Sequence, residues 1–114
     1  MEREIKFRAW NGERMRPVNT ISFNEGWIDT PKENSPIEDF KLMQFTGLTD
    51  KNGVEIYEGD IDKYRGIVVW NDLDYCWSVI DLTWNDRREW HSLTSLTSPY
   101  EVIGNIYENP ELDK

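Results

Sequence analysis

One cysteine, Cys76, and one histidine, His91, stand in a chain of 114 residues, and that scarcity sets aside several kinds of chemistry. A single thiol forms no internal disulfide, which fits a reducing compartment. Its neighbours, "DYCWSV", read as a strand core with no His or basic cluster to activate the sulfur. A structural zinc site within one chain calls for several His or Cys ligands, more than this chain offers. The glycine loops GxxxxGKS/T and GxGxxG that cradle phosphates are missing, as is the GxSxG elbow of a hydrolase. Ser92, Ser95 and Ser98 follow His91, but nucleophilic chemistry depends on a spatial order that spacing alone does not supply. The residues therefore point to no enzyme, no metal and no cofactor.

Basic residues are also few: 13 Lys and Arg against 22 Asp and Glu leave a net charge of -9. Phosphate binding is driven by Lys and Arg displacing counterions, so a direct nucleic-acid partner is not expected. The charge is uneven. Residues 1–16 hold five bases and three acids, or +2, which leaves -11 for the rest. Such a basic strand beside an acidic body can be paired within the molecule, paired between subunits, or simply solvated. No run approaches the roughly 20 apolar residues of a membrane-spanning helix. "MEREIKFRAW" carries charge where a signal peptide needs an apolar run, so the expected location is the cytoplasm, away from membranes.

What the chain does have is aromatic residues: six Trp, five Tyr and four Phe. Each removes a large area from water when buried, so a folded protein is expected despite a mean hydropathy of -0.74. The length suits one domain spanning residues 1–114. In "REIKFRAW", Ile5, Phe7 and Ala9 alternate with Lys6, Arg8 and Trp10, the two-residue rhythm of a strand with one covered face. Asn11-Gly12 supplies the positive φ of a tight hairpin, and Pro17 implies an edge or the end of the returning strand. "TISFNEGWIDT" reads as a second hairpin. Residues 30–39, "TPKENSPIED", read as a mobile linker or loop, with a helical turn at "SPIEDF" in which Ser35 caps and Pro36 opens the turn. From Lys41 strands resume with short polar breaks at 50–53, 65–66, 71–74 and 85–88. The expected fold is mainly β, an antiparallel meander curled into a small barrel or packed sheets, with little helix.

Three stretches invite chemical readings. "TGLTDKNGVEIYEGDI" resembles a calcium loop at first sight, but with Gly53 at position 6 the first ligand position falls on Leu48. A turn explains it better: Asp50 and Asn52 bond their own backbone and Gly53 takes the left-handed conformation. Asp60 and Asp62 fall on one side of a regular strand. They either share a cation or do acid and base work, or they face water while Ile61 points inward; the latter is expected. Asp72 and Asp74 in "NDLDY" read as turn residues. "WNDRREWH" is the most interaction-like stretch, and Trp84, Arg87, Arg88, Trp90 and His91 form a candidate protein-binding surface. A hairpin with its Trp residues in the core explains the same letters. Sugar stacking is the weaker reading of six Trp scattered over six segments.

"REIKFRAWNGERM", "LMQFTGLTDKNGVEIYEGDI" and "YEVIGNIYENPEL", in that order and spacing, resemble the YopX family of phage and prophage proteins. The three blocks run from Arg3 to Met15, Leu42 to Ile61 and Tyr100 to Leu112. Asp62 stands where the family usually has an apolar residue. The resemblance implies a small β-rich protein of phage or prophage origin, acting in the bacterial cytoplasm and able to self-associate. It carries over no catalytic or binding residue. It implies that Gly47, Gly53, Gly59 and Gly104 are positions the fold requires. Three functions remain in view: a non-enzymatic module that binds itself and a host or phage protein, an acidic mimic of nucleic acid that occupies a DNA-binding protein, and a metal-dependent hydrolase using Asp60 and Asp62 with His91.

Overall fold

The structure, a computed structural model, describes residues 4–63, 66–82, 88–93 and 100–113, with the backbone alone at 81, 82, 88–90 and 113. It is mainly β, built from antiparallel strand pairs, and no α-helix occurs among the described residues. The chain divides into two compact units, Met1–Phe45 and Thr46–Lys114.

In the first unit, β1 (Phe7–Trp10) pairs with β2 (Met15–Pro17) on one side and with the start of β6 (Lys41–Thr49) on the other. Ala9 is fully buried, as the alternation requires, whereas Ile5 lies before the strand begins and is exposed. β2 is an outer strand, so Pro17 sits where a missing N–H costs no ladder bond. The turn between them runs over four residues and not the two of an Asn-Gly hairpin. Asn11 N–H donates to the Arg14 carbonyl, and the Asn11 side-chain oxygen accepts from Glu13 and Arg14 N–H, both at 2.8 Å. The carboxamide thus captures two turn amides, the habit that makes Asn a turn residue.

β3 (Thr20–Ser22), β4 (Trp27–Asp29) and β5 (Asn34–Pro36) form a small sheet in that order. β5 falls inside the stretch whose sequence reads as a linker. Three residues are too few to show a rhythm, and Pro36 is admissible because β5 is an edge. A 3-10 turn follows at Ile37–Asp39. Pro36, not Ser35, stands at its cap, without a side-chain bond. Ala9, Ile28 and Phe40 form the core, packed by Val18, Ile21, Ile37 and Leu42.

In the second unit, β7 (Glu55–Tyr57) lies beside the end of β6, and the Thr46 hydroxyl donates to the Ile56 carbonyl at 2.8 Å. β8 (Asp60–Asp62), β9 (Ile67–Asn71), β10 (Cys76–Leu82) and β11 (Arg88–Ser92) run as the expected meander. β12 (Val102–Asn105) departs from sequential order and returns to pair with β8, giving a five-stranded sheet β11-β10-β9-β8-β12. Ile56, Val68, Val79, Leu93 and Tyr100 make the core, with Leu48, Trp77 and Val102 against it. Burying each such large side chain contributes about 1.5–3 kcal/mol.

Candidate functional site

Asp50 directly follows β6 and is buried. One carboxylate oxygen accepts from Asn52 and Val54 N–H at 2.8 and 2.9 Å, closing the turn into β7. The other accepts from Val102 N–H at 3.0 Å, which fastens the start of β12 to the same side chain. Gly53 takes φ +81 in this turn, a conformation that L side chains rarely adopt. Burial disfavours the charge on Asp50, but the amides of Val102, Val54 and Asn52, with Lys51 nearby, outweigh it and hold the carboxyl below its ordinary value. The stretch that resembles a calcium loop is a carboxylate-closed turn.

Asp60 and Asp62 do not face water, contrary to the sequence expectation. Asp60 is fully buried, Asp62 nearly so, and Ile61 between them is buried as well. β8 is an interior strand with β9 and β12 on either side, so its polar side chains need partners within the fold. Asp60 accepts from Tyr57 N–H at 2.7 Å, closing the turn from β7. Asp62 accepts from Gly66 N–H at 2.8 Å, closing the turn into β9. The Tyr100 hydroxyl donates to the carbonyls of Asp60 and Gly66 at 3.1 and 3.2 Å. Burial, then the charges of Asp62, Asp60 and Asp50, push its pKa upward, so this phenol keeps its proton and acts as a donor. Tyr100 opens the third family block, but nothing in the sequence gives its phenol a role. Three acids and a phenol thus hold backbone in place, and among the described residues no group of three or more His, Cys, Asp or Glu is arranged to hold a metal ion.

The surface of interest is the β9–β10 hairpin. Asn71 is buried, and its side-chain oxygen accepts from Leu73 and Asp74 N–H at 2.9 and 3.2 Å. Asp72 and Asp74 belong to the turn, as expected, while the neighbouring amide does most of the closing. The apolar residues of this turn project outward: Leu73 is 89% exposed and Tyr75 79%. Tyr75 also has φ 52, an uncommon backbone conformation for a bulky residue. Behind them Trp70 and Trp77 are cross-strand partners packed edge to face, with ring centroids 5.2 Å apart. Trp70 is exposed, whereas the Trp77 indole N–H is buried with no partner among the described residues.

The sequence-based binding surface is only partly placed. Trp84 and Arg87 lie outside the described residues. Arg88 and Trp90 sit on β11 opposite Leu82 and Ile80, and His91, opposite Val79, is exposed. The expected β10–β11 ribbon is therefore present, with its connecting turn outside what is described. The structure does not bring His91 into register with Asp60 or Asp62: β10 and β9 lie between β11 and β8 in the sheet.

Residues 6–113 match the family described as YopX protein. Among solved structures the chain is similar to the crystal structure of protein EF1440 from Enterococcus faecalis. The two share 28% sequence identity at a TM-score of 0.57, over 99% of this chain and 100% of that one. No curated protein matches the chain. No helix among the described residues is long and apolar enough to cross a membrane.

Proposed function

We propose, from the premise that the chain belongs to the YopX family, that it is a non-enzymatic binding module of the bacterial cytoplasm, one that self-associates and contacts a host or phage protein. The observation that carries this reading is the β9–β10 tip, where Trp70, Leu73 and Tyr75 stand in solvent on a hairpin held by Asn71. Trp and Tyr dominate binding hot spots because they bring large rigid area with a polar edge. Exposing them together, one in a strained conformation, has no benefit for an isolated domain.

The placement of acids supports the same reading over the other two. Asp50, Asp60 and Asp62 are buried on backbone amides, so their charge adds little to a surface imitating nucleic acid. Both members of the Asp60 and Asp62 pair serve as turn closures, which accounts for them without substrate or metal. A tagged pull-down from an infected or induced host, run with the natural chain and with Leu73→Ser/Tyr75→Ser, tests the reading. One enriched host or phage protein that the variant fails to retain supports it. A chain that stays monomeric at all practical concentrations and retains nothing overturns it.

A further inference from the structure

A second surface, independent of the hairpin tip, lies on the β3–β4–β5 sheet of the first unit. Strand alternation sends Ile28 inward, where it is fully buried, and sends its neighbours Trp27 and Asp29 to the other face. The register then lays two rows across that face. Ser22, Trp27 and Pro36 form one row, and Thr20, Asp29 and Asn34 the other. Glu25, in the turn between β3 and β4, stands at the rim. Thr20, Ser22, Glu25, Trp27, Asp29 and Asn34 line an open cleft of about 360 Å³, the scale of one large side chain and its surroundings. Trp27 is 44% exposed within it.

The lining holds an indole, two hydroxyls, an amide and two carboxylates, with no basic residue among the described residues. Asp29 receives only a long 3.5 Å bond from the Asn34 amide, and the Glu25 side chain has no ion pair among the described residues. An exposed indole beside two unneutralised carboxylates complements a planar cation with an apolar stem. We propose that this face is a binding site for an arginine side chain carried by a basic segment of a partner protein. The guanidinium stacks on Trp27 and donates to Asp29 and Glu25, while its methylene stem lies along Pro36. A flat delocalised cation suits this arrangement better than the compact, strongly hydrated ammonium of lysine. Charge complementarity also separates arginine from a neutral saccharide, whose hydroxyls could donate to the carboxylates but would leave their two charges unneutralised.

The test uses the full chain, uniformly labelled with nitrogen-15, and follows the Trp27 indole N–H signal, assigned by its disappearance in Trp27→Phe. Titration with L-arginine methyl ester is expected to shift that signal saturably. Glu25→Gln and Asp29→Asn are each expected to weaken binding by about three- to tenfold, with the dispersed amide spectrum showing that both variants remain folded. Methyl glucoside at the same concentrations is expected to leave the signal in place. No shift with the arginine ester, an equal shift with the glucoside, or unchanged affinity in both carboxylate variants overturns the proposal. None of these outcomes bears on the β9–β10 surface, since the probe signal belongs to the other unit.

Discussion

The two units solve the same problem, closing tight turns between short strands, with different chemistry. In the first unit the side chains that capture turn amides are uncharged: Asn11, Ser22, and Thr30, which accepts from Lys32 and Glu33 N–H. In the second, Asn71 and Asn105 act in the same way, but the turns following β6, β7 and β8 are closed by Asp50, Asp60 and Asp62. A carboxylate presents two acceptor oxygens and binds amides more strongly than a neutral group. It also titrates. The comparison teaches that the second unit closes its short connections with charged acceptors, and at Asp50, whose carboxyl is held below its ordinary value, that choice brings a dependence on pH.

The sharpest way to break this comparison is Asp50→Ala, which strands three N–H groups, those of Asn52, Val54 and Val102. A loss of about 3 kcal/mol or more is expected, read by urea denaturation. Acid tests the same group without mutation. The Asp50 carboxyl titrates lower in the folded than in the unfolded chain, so its stabilisation is full above the ordinary value of 3.8 and is lost as pH falls through the folded value. Hydrogen exchange followed through that range should show the amides of Asn52, Val54 and Val102 losing protection while those of Glu13 and Arg14 hold theirs. Equal loss in both sets would show that the contrast between the units is not one of turn chemistry.

Tyr100→Phe comes next, removing the donor to the Asp60 and Gly66 carbonyls at an expected cost of about 1–3 kcal/mol. The natural phenol has its pKa raised, so its stabilisation is full below the ordinary 10.0 and declines as the pH rises beyond it. The variant should lose this part of the alkaline dependence, as measured by thermal melts on either side of that value. The smallest effect is expected from Asn11→Ala, about 1 kcal/mol for an exposed amide-closed turn, and it should be the same from mild acid to neutrality.

The sequence exposes most of the strands because alternation and turn residues are local signals. β1, β6 and the run from β7 to β12 stand where rhythm and breaks place them, and Pro17 marks an edge. β5 is not legible, since a three-residue edge strand has no period. Nor is the pairing of β12 with β8, because strand adjacency across forty residues leaves no mark on either segment. The family resemblance marks Gly104 as required, but the reason comes only from the structure. A Cβ there would lie 2.5 Å from the Asn109 side-chain oxygen, which accepts from Asn105 N–H.

The sites are harder to read than the strands. Asp60 and Asp62 look solvent-facing because a polar letter beside an apolar one usually is; their burial depends on strands on both sides and on amides in turns. "NDLDY" draws notice for its acids, yet its apolar Leu73 and Tyr75 stand in solvent beside them. Nothing in the sequence sets Trp27 apart from the other five Trp, and only the register of β3, β4 and β5 puts it on the outer face.

The bond from Val102 N–H to Asp50 joins groups 52 positions apart. During synthesis the carboxylate therefore waits for its third amide until residue 102 has left the ribosome, and β8 waits for β12 until the same point. A unit whose closing contacts are this distant along the chain folds late and all together, its earlier strands holding an open edge in the meantime. The last block of the sequence thus completes contacts at Asp50 and β8 that the earlier strands cannot make among themselves.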